Sequence, residues 1–205
     1  MAKKSTSKHW LHEHHNDIFV KQAKQDGYRA RAAYKLLEII DKTAFIKAGD
    51  HVVDLGAAPG SWSQIAQLTV GRKGQVIASD ILPIKPIAGV KFILGDFQQP
   101  QVYENITQLT ANGSVDVVLS DMAPNMSGQP SVDIPRAMNL SELSFEFALN
   151  VLKKDGSFCC KVFQGEGFDC FILNAKRTFE RVRIYKPKAS RPRSKEVYLL
   201  ANRLK

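Results

Sequence analysis

Cysteine is scarce in this chain of 205 residues: Cys159, Cys160 and Cys170 are the only three, and they cluster late. An odd, late cluster is no disulfide framework, which favours a reduced, cytosolic setting. No apolar run approaches the ~18 residues of a membrane span. Residues 1–10 carry lysines, but no apolar core follows them, which excludes a secretory signal; Glu13 and Asp17 count against an organelle transit peptide. No Cys/His set has metal-ligand spacing. The dinucleotide fingerprint G-x-G-x-x-G is missing as well, which counts against a nicotinamide dehydrogenase.

What is present is a 44% hydrophobic chain with a net charge of +9, a composition that supports a folded core. The charge is unevenly spread. Residues 1–35 sum to +5, residues 36–175 to −5 and residues 176–205 to +9. Two basic ends that fold onto one face of an acidic body would give an electrostatic footprint for nucleic acid, although a solvated basic surface is the plainer reading.

Residues 1–28, with His9, His12, His14 and His15, lack clear periodicity and read as a basic, partly mobile arm. From Arg29 the spacing of Ala33, Leu36, Leu37 and Ile40 is helical and sets Lys35 at the edge of an apolar stripe. Short apolar runs then alternate with helical stretches. Strands are expected at 51–55, 75–81, 90–94, 115–120 and 157–163. Helices are expected at 61–70, 141–152 and 168–179. Residues 181–185 and 196–201 should close the chain as an antiparallel pair. Residues 124–135, with their prolines, Asn125 and Gly128, read as a loop that shapes a substrate pocket. Alternation of this kind predicts an α/β fold in residues 29–205, with one mostly parallel sheet and an antiparallel edge strand.

Ligands of such sheets bind at the carboxyl ends of the strands. The first strand runs into Asp54-Leu-Gly-Ala-Ala-Pro-Gly60, and Asp80 and Asp96 close the second and third strands. A glycine-rich turn with strand-terminal acids suits an adenosine-type ligand: Asp80 would accept from ribose hydroxyls, Asp96 would reach the adenine edge, and the Trp62 ring would cover the ligand. Each acid alone could equally be a turn former.

Several segments carry a resemblance. Val53-Asp-Leu-Gly-Ala-Ala-Pro-Gly60 with Trp62-Ser-Gln64, Ser120-Asp-Met-Ala-Pro-Asn-Met-Ser-Gly128, Lys161-Val-Phe-Gln-Gly165, Arg31-Ala-Ala-Tyr-Lys-Leu36 and Arg193-Ser-Lys-Glu-Val-Tyr198 resemble the FtsJ/RrmJ family of ribose 2′-O-methyltransferases. Ser61 departs from the glycine that the family favours there. The resemblance implies a Rossmann-like S-adenosylmethionine-dependent methyltransferase fold. It implies a catalytic set at Lys35, Asp121, Lys161 and Glu196, with S-adenosylmethionine contacts at Gly60, Trp62, Asp80, Asp96 and Asp121 and no metal. The implied substrate is a uridine in the A-loop of 23S ribosomal RNA, met in the large (50S) subunit by a monomeric, cytoplasmic enzyme. A member acting on transfer RNA and a non-catalytic RNA-binding assembly factor are the alternatives. In such chemistry Lys161 would take the proton of the ribose hydroxyl, Lys35 would add a second positive charge, Asp121 would orient Lys161, and Glu196 would hold Lys35 or the ribose.

Overall fold

The computed structural model describes residues 17–110 and 114–205. Helices α1 (Ile18–Gln25) and α2 (Ala33–Thr43) precede β1 (His51–Leu55). Then come α3 (Ser61–Val70), β2 (Gln75–Asp80), β3 (Val90–Leu94), α4 (Pro100–Thr110), β4 (Val115–Ser120), α5 (Pro130–Val151), β5 (Leu152–Phe163), α6 (Phe168–Thr178), β6 (Phe179–Tyr185) and β7 (Glu196–Leu204). The strands form one seven-stranded sheet in the order β3-β2-β1-β4-β5-β7-β6. Five strands run parallel, and β7 lies antiparallel to both β5 and β6. The expected α/β class and the antiparallel pair at the sheet edge are both present, with β7 rather than β6 lying against β5.

The sheet is buried on both faces, because side chains alternate along each strand. Val53, Leu55, Ile77, Val118 and Cys160 face a layer that contains Ile106 of α4, Phe147 of α5 and Phe171 of α6. Val52, Val76, Val117, Leu119 and Cys159 face the other layer, with Leu36 and Ile39 of α2 and Ile65 of α3. Cys159 and Cys160 thus pack as small apolar groups on opposite faces. Among the described residues, no helix is long and apolar enough to cross a membrane.

Three stretches differ from the sequence expectation. Residues 1–16, including the four histidines of the arm, lie outside the described residues. The later part of that arm is helical: Asp17 caps α1 through the Phe19 N–H at 3.0 Å, and Ala23 is buried. The loop expected at 124–135 ends at Gln129, because α5 begins at Pro130 and carries Pro135 inside it. A proline at the first helical position is pre-set for the helix, so Pro130 starts α5 rather than prolonging the loop. The crossover from β3 to β4 contains α4, which the sequence reading lacked; only Val102, Ile106 and Thr110 of this helix are buried.

Candidate active site

All parallel strands point their carboxyl ends to one edge, and the residues anticipated at those ends gather there. Asp121 follows β4 directly, and Lys161 is third from the end of β5. Lys161 donates to the Asp121 carbonyl at 2.6 Å, and its ammonium lies 3.1 Å from Asp121 Oδ1. The Lys161 backbone is fixed from below by Ser141 of α5, whose hydroxyl donates to the Lys161 carbonyl at 3.0 Å. Lys35, in the first turn of α2, donates to Glu196 Oε1 at 2.6 Å and to the Tyr198 hydroxyl at 3.1 Å. Tyr198 in turn donates to Asp121 Oδ1 at 2.8 Å. The four residues Lys35, Asp121, Lys161 and Glu196 therefore form one connected set, two ammonium groups against two carboxylates, and Tyr198 is the link between its halves.

Tyr198 was missed in the sequence because it alternates like any strand residue. Its register partner across the sheet is Lys161, and that pairing fixes their side chains on one face. Its ring is fully buried against Trp62, with centroids 5.5 Å apart. Burial, with Asp121 and Glu196 close by, pushes the Tyr198 hydroxyl far above the usual phenol range, so it stays a neutral donor. For Asp121, burial alone would raise the carboxyl, but the Lys161 and Lys35 ammonium groups and the Tyr198 hydroxyl outweigh it and hold it below the usual carboxylate range.

Beside this set lies the turn after β1. Gly56 has φ +75°, and a Cβ there would sit 2.5 Å from Met122 Cγ and 3.0 Å from Met122 Cα. Glycine thus lets the chain beyond Asp121 pass close to the turn. Asp80 holds the same turn: its Oδ2 accepts from the Ala58 N–H and its Oδ1 from the Leu82 N–H, both at 2.8 Å. Asp96 accepts from Gln98 N–H at 2.9 Å and closes its own short turn. Both acids are turn formers, the plainer role weighed for them, and each carboxylate oxygen keeps acceptor capacity for a ligand.

Trp62 is corrected by the structure as far as its ring is concerned. The side chain is 2% exposed, packs in the core beneath α2 and donates to the Ala32 carbonyl at 2.9 Å. The ring covers no open site. Asp54 is a further polar group that the sequence reading left without a role. It is fully buried, accepts from the Ser63 hydroxyl at 2.6 Å through Oδ2, and leaves Oδ1 without a partner. Burial, opposed in part by the Ser63 hydrogen bond, pushes its carboxyl up to about 7.

Arg31 is engaged within the protein. Its guanidinium pairs with Asp17 and donates to the Ala189 carbonyl, so it ties α1 to the basic segment 186–195 between β6 and β7. That segment is anchored again by Glu38 of α2, which accepts from the Tyr185 hydroxyl and from the Lys188 N–H. Lys188, Arg193 and Lys195 are exposed on it, at the same edge of the sheet as the site. Among the described residues, no group of three or more His, Cys, Asp or Glu is arranged to hold a metal ion.

Comparison with known proteins places the chain among methyltransferases. The FtsJ-like methyltransferase family matches residues 28–204. The chain is 60% identical to a ribosomal RNA large subunit methyltransferase E from Vesicomyosocius okutanii, over 100% of this chain and 98% of that one. It is 55% identical to a protein of the same description from Marinobacter nauticus, over 98% and 97%. A solved structure described as a ribosomal RNA methyltransferase from Plasmodium falciparum superposes with a TM-score of 0.76 at 29% identity, covering 86% of this chain and 98% of that one.

Proposed function

The chain belongs to the FtsJ-like methyltransferase family and is a methyltransferase, and from that premise we propose that it methylates the ribose 2′-hydroxyl of a uridine in the 23S ribosomal RNA A-loop, using S-adenosylmethionine. The relatives are described by their action on large-subunit ribosomal RNA, which supports this substrate over transfer RNA. The observation that carries the reading is the continuous set Lys161–Asp121–Tyr198–Lys35–Glu196 at the carboxyl edge of the sheet. The setting we propose is cytoplasmic and the working form a monomer; the buried free thiols Cys159 and Cys160 fit a reducing compartment.

The residues present fit the donor. At Gly56 and Gly60 a Cβ would run into Met122 and into Arg29 and Ile87, so the turn packs close on its neighbours, and Asp80 and Asp96 offer acceptors at adjacent strand ends. Gly60, the Trp62 N–H, Asp80, Asp96 and Asp121 would hold it. When bound, S-adenosylmethionine supplies a methyl group on a sulfonium that leaves readily as the thioether.

The chain must align the ribose oxygen and remove its proton. Lys161 is the group we assign to that proton: once its ammonium has released a proton to solvent, Nζ would accept the proton of the ribose 2′-hydroxyl. Asp121 orients Lys161 through two contacts and keeps Oδ1 tied to Tyr198, so the amine cannot swing away. Lys35 would place a cation near the ribose oxygen and favour its alkoxide character, while Glu196 fixes Lys35. The Lys35 side chain is part-buried, so its charge acts with little screening. Mapping of ribose methylation in 23S ribosomal RNA from cells with and without this protein tests the reading. A uridine methylation that is present with the protein and absent without it is expected; an unchanged methylation map would overturn the reading.

A further inference from the structure

Arg29 lies in the short segment between α1 and α2, and the catalytic and donor-binding residues named so far do not include it. Its guanidinium makes three hydrogen bonds, each to a main-chain carbonyl: Nη1 donates to Pro59 at 3.1 Å and to Lys85 at 2.6 Å, and Nη2 donates to Pro86 at 2.9 Å. Pro59 belongs to the turn after β1. Lys85 and Pro86 belong to the loop between β2 and β3. These two loops flank Asp80, which itself bonds one residue of each, Ala58 and Leu82. A carboxylate and a guanidinium thus hold the same pair of loops at two points.

The arginine is held in its turn. Its backbone N–H donates to Gln64 Oε1 at 3.3 Å, and Gln64 Nε2 donates to the Gly27 carbonyl at 3.0 Å. Gln64 stands on α3, the helix that the glycine turn opens. The guanidinium also passes over Gly60, where a Cβ would lie 2.9 Å from Arg29 Nη1. Gly60 is therefore needed for the clamp to reach its carbonyls.

We propose that Arg29 is a positioning residue of the methyl-donor site: it clamps the 57–60 turn to the 81–89 loop, and so fixes the backbone and the Asp80 carboxylate that the donor meets. The inference rests on the donor-site reading above. A planar fork can serve three carbonyls from two loops at once, whereas an ammonium on a flexible stem presents a single point charge. Without the fork the two loops become independent, and their ordering is charged against donor binding.

The test uses Arg29→Lys and Arg29→Ala in the full chain, with Asp80→Ala as control. Calorimetry reads affinity for S-adenosylmethionine and for its demethylated product. Thermal unfolding is read without donor, and single-turnover methylation of large-subunit particles is read at saturating donor. Both Arg29 variants are expected to bind donor about 10-fold more weakly or worse, with a donor-free Tm within a few degrees of wild type and a saturated rate within about threefold. If the alanine variant fails to fold, the lysine variant decides. Wild-type affinity in Arg29→Lys, or an affinity loss that only follows a collapse of the donor-free Tm, overturns the clamp. A reduced saturated rate at normal donor affinity also overturns it. Weak binding by Asp80→Ala beside normal binding by the Arg29 variants removes the clamp alone; normal binding by Asp80→Ala removes the donor-site reading with it.

Discussion

The Lys161 ammonium touches Asp121 twice, at the main-chain carbonyl and at Oδ1, so one side chain ties together the carboxyl ends of β4 and β5. Removing it takes a partner from both a carbonyl and a carboxylate.

Lys161→Ala should therefore cost about 1–3 kcal/mol of stability, the usual penalty for stranding buried acceptors, while the sheet stays intact. Donor binding should weaken only modestly, through Asp121, which loses its Lys161 partner, because Gly60, Asp80 and Asp96 lie elsewhere. Methyl transfer should fall about 10²–10⁴-fold. Lys161→Arg should not restore it, since a guanidinium stays protonated. Single-turnover assays on large-subunit particles separate the cases, and near-normal transfer by the arginine variant would remove Lys161 as proton acceptor.

Asp80→Ala should weaken donor binding by two routes. The variant loses an acceptor for ribose hydroxyls, and it releases the Ala58 and Leu82 amides that shape the adjoining loops. A drop of about 10-fold or more in calorimetric affinity is expected. An unchanged isotherm would exclude Asp80 from the donor site.

Stability should respond to pH through Asp54. Its folded carboxyl titrates near 7, well above the ordinary value, because burial disfavours the charge. A raised acid favours the fold while it is protonated in both states, and that contribution is lost as pH rises from about 4 through about 7. Asp121, held low, acts in the opposite sense and is lost only in acid. In Asp54→Asn, the decline of Tm between pH 5 and pH 8 should become shallower. Parallel Tm profiles of variant and wild type would show that Asp54 does not titrate there.

Ribosomal RNA binding should weaken steeply with salt, and part of the slope should come from the segment 186–195. Replacing Arg193 and Lys195 by alanine should flatten a plot of log affinity against log salt by roughly one unit for each phosphate that is no longer neutralised. Arg31→Ala should act differently: its guanidinium is already used on Asp17 and Ala189, so Tm should fall as the segment loses its anchor. A salt slope left unchanged by the Arg193 and Lys195 substitutions would take those residues out of the interface.

The parallel strands were readable from the chain because each is a short apolar run cut off by a turn former; β1, β3 and β4 begin and end where the run does. The proposed catalytic set was readable as well, since four charged residues stand at motif positions in resembling segments. What escaped has physical causes. Helix α4 buries about one residue per turn, too sparse a stripe to register. The start of α5 was hidden by Pro130 and Pro135, which signal breaks unless the proline stands where a helix begins. Trp62 follows the glycine turn, and nothing local shows that its ring turns inward to reach the Ala32 carbonyl. Tyr198 and Arg29 owe their places to partners 77 and 56 residues away, and no pattern confined to one segment carries that.

The place of β7 has a consequence for biosynthesis. It follows the other strands of this sheet in sequence, yet it separates β5 from β6, and among the described residues β6 pairs with no other strand. A nascent chain that has emerged as far as β6 holds Lys35, Asp121 and Lys161, but neither Glu196 nor Tyr198, and β5 keeps an open hydrogen-bonding edge. Insertion of β7 then closes the sheet and joins the two ion pairs in the same event. On the catalytic set proposed above, methyl transfer should therefore require β7 in place, because both Glu196 and Tyr198 stand on it.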